Sequence, residues 1–406
     1  MKIGNKPPLA LATLAVRTYL DGVKDNRPLS SSIMRGTIFT APSAAEHARL
    51  YRDRAKTFYQ RFGHPSEDEV AGKIAALEGA EAALVFASGM AAISTALLAH
   101  LPPGSHVIAG NQIFAQTEEI LRWLADGRGV EATFVDTRRL DQVKASFRSN
   151  TRLVYIETPS NPTLRVTDIA KVCAMARAHG ALSFVDSTFA TPMGQQPLSL
   201  GASLALHSAT KLLGGHMDVM GGVAAGNRDI LEPIAALKRL LGGVLDPQAS
   251  WLLLRGIKTL GVRTARIFSS ALALAKLLRM SPAVKTLYYP LLPSHPDFDI
   301  AADQMRGGGG VITFSFHGGA EAGRQFIDSL DLIQIASSLG GVETVIEMPY
   351  DLDWVEKADH LAGAAETGGE PIDTGLIRLS VGLEDLAELS ADLDQALRSI
   401  EVRFPA

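Results

Sequence analysis

Ser208-Ala209-Thr210-Lys211-Leu212-Leu213-Gly214-Gly215-His216 sets a lysine just after two hydroxyl residues and just before two glycines. Upstream, Ala181-Leu-Ser-Phe-Val-Asp186-Ser-Thr reads as a buried strand that ends in a carboxylate. An amine, an acid and hydroxyl donors can meet at such a junction. The set suits an aldehyde cofactor with a ring nitrogen and a phosphate, namely pyridoxal 5'-phosphate. A single lysine in a loop is usually a solvated surface group, so the rest of the chain has to decide.

Outward from this stretch the chain alternates strand and helix. Ala82–Phe86, His106–Ala109, Val130–Val135, Leu153–Glu157, Ala181–Val185 and Leu204–Ser208 read as strands. Residues 91–100, 116–125, 140–148 and 168–179 have helical spacing. That alternation predicts a mostly parallel sheet sandwiched by helices, an α/β fold. Ligands in such sheets bind beyond the carboxyl ends of the strands. Ser88, Phe114, the Glu157–Asn161 turn, Asp186 and Lys211 fall there.

The flanks differ. Residues 1–60 carry Pro7-Pro8, Pro28 and Pro42 and read as an extended arm with one short helix at 44–52. Residues 61–256 form the cofactor domain. Residues 257–406 read as a smaller α+β domain, with a long helical stretch over 251–280, a half-buried strand at Val311–Phe316 and a final helix over 384–401. Gly307–Gly310 does not open a helix after a strand, so it reads as a flexible entry to that strand.

Composition limits the function. The net charge is −4 over 406 residues, so no basic footprint argues for nucleic acid. Cys173 is the one cysteine, which excludes an internal disulfide and reads as a core residue. No uncharged run reaches the length of a membrane span, and no signal-peptide pattern is present. A soluble, cytoplasmic protein is expected. There is no P-loop, no H-E-x-x-H and no Cys/His cluster, so no metal is expected.

Three groups keep two readings each. Ser88-Gly89-Met90, between a strand and a helix, is either a phosphate site on a helix N-terminus or a plain cap. Asp186 either pairs with a ring nitrogen or is an N-cap or one half of a salt bridge. Arg378, inside an apolar strand, binds either a substrate carboxylate or an interface acid.

As a set these motifs resemble the Cys/Met-metabolism family of pyridoxal-phosphate enzymes, the cystathionine γ-synthases, γ-lyases and β-lyases and the methionine γ-lyases. The segments that carry the resemblance are Tyr59-Gln-Arg61, Ser88-Gly-Met90, Glu157-Thr-Pro-Ser-Asn161-Pro162, Val185-Asp186-Ser-Thr, His207-Ser-Ala-Thr-Lys211, Ser338-Leu-Gly-Gly341 and Arg378-Leu-Ser-Val-Gly382. The resemblance implies the fold-type-I transferase architecture and a homotetramer of two active dimers. It implies that Lys211 carries the cofactor and shuttles protons, and that Asp186 pairs with the ring nitrogen. Ser88, Gly89, Met90, Ser208 and Thr210 would hold the phosphate, and Phe114 would stack on the ring. Tyr59 and Arg61 would reach the phosphate of the neighbouring subunit. Asn161, Ser338 and Arg378 would place an amino-acid substrate.

The chain departs from the family in three places. Phe114 stands where a tyrosine is usual, so acid–base duty passes to Lys211. Ser337 replaces a glutamate common in the cystathionine γ-enzymes. Met348-Pro-Tyr-Asp-Leu-Asp353-Trp354 replaces the usual Thr-His segment. The expected reaction is γ-elimination or γ-replacement on a sulfur-containing or homoserine-derived amino acid. The alternatives are β-elimination of cystathionine, or a γ-lyase with a non-thiol leaving group such as canavanine.

Overall fold

Seven strands build the larger sheet: β1 (Ala82–Phe86), β2 (His106–Gly110), β3 (Glu131–Val135), β4 (Thr151–Glu157), β5 (Leu182–Asp186), β6 (Leu204–Ser208) and β7 (Gly222–Gly226). The computed structural model describes residues 9–17, 30–349 and 373–404. Across the sheet the order is β1-β7-β6-β5-β4-β2-β3. Pairs β2–β3, β2–β4, β4–β5 and β5–β6 are parallel, and β7 runs antiparallel to both of its neighbours.

Side chains alternate across this sheet, and both faces are apolar. Val107, Ala109, Leu153, Tyr155 and Phe184 join one buried cluster. Their chain neighbours Ile108, Val154, Ile156 and Val185 join another. A strand with period-two side chains and no polar face has to be covered on both sides. Helices Gly89–His100 and Ile169–Ala178 contribute to opposite clusters. Each leucine or phenylalanine so buried contributes about 2 kcal/mol. Cys173 lies 1% exposed in the second cluster, where burial pushes its thiol up.

The second sheet holds β8 (Val284–Tyr288), β9 (Val311–Phe316), β10 (Gln334–Ile335), β11 (Val345–Glu347) and β12 (Ile377–Ser380), in the order β10-β11-β12-β9-β8. Helices Leu260–Met280 and Leu386–Arg403 pack Leu274, Leu278, Leu389 and Leu393 with Phe314 and Phe316.

Three expectations are corrected here. Strand β9 is buried along its whole length, because its polar face is covered too and Ser315 pairs with Thr286 at 2.7 Å. The stretch 251–280 is two helices, Pro247–Lys258 and Leu260–Met280, parted at Thr259. Gly307–Gly310 is buried rather than a loose entry, and a Cβ on Gly308 would sit 2.6 Å from the Tyr289 ring.

In the arm, the helix expected at 44–52 is present as Ala44–Arg52, with none of its residues buried. A second helix, Leu11–Val16, buries Ala15 beside Val70 and Ile74. No described helix is long and apolar enough to cross a membrane. Among the described residues no group of three or more His, Cys, Asp or Glu could hold a metal ion.

Candidate active site

Parallel pairing brings the carboxyl ends of β4, β5 and β6 together, and these strands end in Glu157, Asp186 and Ser208. A cavity of about 590 Å³ opens there. Its wall includes Ser88, Gly89, Met90, Phe114 and Asn161. It also includes Asp186, Ser208, Thr210, Lys211, Ser338 and Arg378. Eleven of the thirteen residues singled out in the sequence therefore meet in one space.

One end of the cavity is the N-terminus of a helix. Ser88 caps helix Gly89–His100, its Oγ accepting from the Ala91 amide at 3.0 Å. The cap stabilises the helix by about 1 kcal/mol. It also leaves the amides of Gly89 and Met90 without an intrahelical acceptor, at the positive end of the helix dipole. The cap is observed, and it is compatible with a phosphate on the two open amides. Gly89 lies so close to Ser208 that a Cβ would stand 2.9 Å from the serine Cβ. Strand β7 passes beneath: a Cβ on Gly222 would meet the Ser88 carbonyl at 2.1 Å.

Asp186 is 5% exposed. Its Oδ1 accepts from the Thr188 amide at 3.0 Å and the Thr188 hydroxyl at 2.5 Å. Burial pushes its carboxyl up, and the Thr188 bonds oppose that. Thr188 was not picked out from the sequence, although an aspartate followed two residues later by a threonine is an Asx-turn signal. The fixed, buried acid can hold a protonated ring nitrogen.

Lys211 donates to the Ser338 hydroxyl, Nζ to Oγ at 2.5 Å. Burial, and then the Arg378 charge, bring its amine down to about 8, against the pull of Glu347. Ser338 has φ of +80°, in the left-handed region. Gly340, with φ of +82°, lets this loop lie on the lysine segment: a Cβ there would be 2.6 Å from the Leu212 amide nitrogen.

Arg378 is held from two sides. Its Nη1 donates to Asn161 Oδ1 at 2.9 Å, and its Nη2 pairs with Glu347, directly opposite on the antiparallel strand β11. Glu347 also lines the cavity and was missed, because nothing local marks it. Glu157 ties two walls together. Its Oε2 accepts from the Phe114 amide at 2.7 Å and its Oε1 from the Asn161 amide at 3.1 Å. Burial, and then the Asp186 charge, push Glu157 well above the usual carboxylate range.

Tyr59 and Arg61 stand outside this cavity. Tyr59 is 38% exposed, and Arg61 Nη1 donates to the Arg239 carbonyl at 2.8 Å. Ser337 and Pro349 lie in the cavity wall. Residues 350–354, with Asp351 and Asp353, lie outside the described residues.

A lysine of lowered pKa, a buried carboxylate and the open end of a helix share one cavity, a set that fits pyridoxal phosphate. The family model of Cys/Met-metabolism PLP-dependent enzymes matches residues 12–398, and the chain belongs to that family. It is 39% identical to cystathionine gamma-lyase of Bacillus subtilis over 390 residues, covering 96% of this chain and 99% of that protein. It is 42% identical to cystathionine beta-lyase of Lactococcus lactis subsp. cremoris over 340 residues, 84% of this chain and 88% of that one. A solved cystathionine gamma synthase from Xanthomonas oryzae pv. oryzae, in complex with aminoacrylate and cysteine, superposes with a TM-score of 0.90. It is 32% identical, over 98% of this chain and all of that one.

Proposed function

We propose that this enzyme performs γ-elimination or γ-replacement on a sulfur-containing or homoserine-derived amino acid. The observation that carries the reading is the Lys211–Ser338 contact, which holds an amine of pKa about 8 in the cavity that Arg378 also lines. γ-Chemistry removes one proton from Cα and another from Cβ, so it needs a base on a long, movable arm. Phe114 has no hydroxyl to share that duty.

When bound, pyridoxal phosphate supplies an electron sink for the charge left at the substrate's Cα. Arg378, steadied by Asn161, binds the substrate carboxylate in a two-pronged fashion. Lys211 takes the protons from Cα and Cβ and returns one to the leaving side. Asp186, with Oδ1 fixed by Thr188, keeps the ring nitrogen protonated. The Gly89 and Met90 amides, with Ser88, Ser208 and Thr210, hold the phosphate, and Phe114 covers the ring.

Tyr59 and Arg61, exposed and away from their own cavity, complete the phosphate site of a neighbouring subunit. An active dimer follows from that reading, and the family resemblance pairs two such dimers into a homotetramer.

β-Elimination of cystathionine is the second reading, favoured by the 42% identity to the Lactococcus protein. Incubation with L-cystathionine, L-methionine, O-acyl-L-homoserines and L-canavanine, with mass identification of the products, tests both. 2-Oxobutanoate, or a new thioether with added cysteine, is expected. Pyruvate from cystathionine would replace the first reading with the second. Lys211→Ala is expected to abolish turnover, and retained turnover would remove the lysine's role altogether.

A further inference from the structure

Arg378 is the guanidinium of the cavity wall, yet its binding edge is half taken. Nε–H and Nη2–H form one edge of a guanidinium, the edge that receives a carboxylate in parallel. Glu347 occupies Nη2. The Nε is buried and has no hydrogen-bond partner among the described residues. The Arg378 side chain is 10% exposed, whereas the Glu347 side chain keeps 21% of its surface open. A substrate carboxylate that takes the whole edge has to push Glu347 off Nη2. Asn161 on Nη1 can stay.

We infer that Glu347 is a displaceable internal competitor for Arg378, and that it sets the charge preference of the site. This rests on the reading of Arg378 as the carboxylate-binding residue. Once displaced, the Glu347 carboxylate stays on β11 at the cavity wall, where Arg378 is the one arginine among the described lining residues. A ligand with one carboxylate meets this repulsion once. A ligand whose far end is also anionic meets it twice, with Arg378 already spent. The site therefore favours amino acids with neutral or cationic distal ends and penalises anionic ones.

The test uses the holoenzyme and two carboxylates without an amine, propanoate and succinate, as competitive inhibitors of an amino-acid substrate. Glu347→Gln is expected to tighten propanoate by about fivefold, the weight of one partly exposed ion pair. Succinate should tighten by a larger factor, and kcat/KM for O-succinyl-L-homoserine should rise relative to O-acetyl-L-homoserine. Glu347→Asp, which keeps the charge, should retain the wild-type preference. If Glu347→Gln fails to hold the cofactor, Glu347→Ala provides the same comparison.

Unchanged or weaker propanoate inhibition in the variant overturns the inference. Equal tightening of both inhibitors overturns its charge-selective part. If propanoate does not compete with substrate in the wild-type enzyme, the reading of Arg378 has failed, and the inference falls with it.

Discussion

Lys211, three residues beyond β6 of the larger sheet, donates to Ser338, which precedes β11 of the smaller one, at 2.5 Å. The contact joins two segments 127 residues apart. In the proposed reaction it positions the working amine, and the serine makes it from a left-handed backbone conformation. A non-glycine residue there costs about 1–2 kcal/mol. Removing the hydroxyl and relieving the backbone are separable. Ser338→Ala and Ser338→Gly should each lower kcat about tenfold. Only the glycine variant should melt at or above the wild-type temperature. A full-rate alanine variant would mean that the serine hydroxyl does not position Lys211.

The lowered amine predicts a pH profile for cofactor capture by the stripped protein. Only the neutral amine attacks an aldehyde, and with a pKa of about 8 roughly a tenth of it is neutral at pH 7. The capture rate should rise with pH and level off above about pH 8; for an ordinary lysine it would climb until about 10.4. The linkage has a definite sign. Below about pH 8 both folded and unfolded chains hold this proton, so the burial cost is fully present. Between about 8 and 10.4 the unfolded chain binds more protons, and this group's cost declines as pH rises. Stopped-flow absorbance after adding pyridoxal phosphate reads the profile.

Arg61 can be tested by complementation. Arg61→Ala and Lys211→Ala proteins, each nearly inactive, should regain activity when unfolded and refolded together. A mixed dimer then carries one site with both residues intact. Random pairing predicts about a quarter of the wild-type rate. No recovery, from a mixture shown to contain mixed dimers, would place Arg61 outside the neighbouring site.

Glu157 should act on substrate binding through its two amide contacts. Glu157→Gln offers one acceptor oxygen where two amides now donate, and it turns an NH₂ group toward the other. A buried amide left unpaired costs about 1–3 kcal/mol. Steady-state kinetics should show KM rising by about tenfold, more than kcat falls, as Asn161 loosens beside Arg378. An unchanged KM would separate Glu157 from the carboxylate site.

Three strands of the larger sheet were legible because each is a short apolar run that leads into a polar residue at the cavity: Phe86 ahead of Ser88, Ile156 before Glu157, Val185 before Asp186. Strand β7 was not. Gly222-Val-Ala-Ala-Gly226 has neither β-branched density nor alternation, and its glycine is dictated by the Ser88 carbonyl lying against it. Lys211, Asp186 and Arg378 could be singled out because a charge at the end or in the middle of an apolar run demands a partner. Their partners were legible only in part: Ser338 and Asn161 came with the resemblance, whereas Thr188 and Glu347 did not. Glu347 sits in a three-residue strand 31 positions from Arg378, and only the pairing of β11 with β12 sets the two opposite each other.

The most direct measurement is the reaction of the enzyme with L-cystathionine in deuterium oxide, with the oxo acid read by mass and NMR. γ-Elimination moves solvent hydrogen to the carbon that lost sulfur. The account predicts 2-oxobutanoate with deuterium at C4, a position that simple enolisation of the free product does not label. Pyruvate as the oxo acid, or 2-oxobutanoate without deuterium at C4, would contradict it.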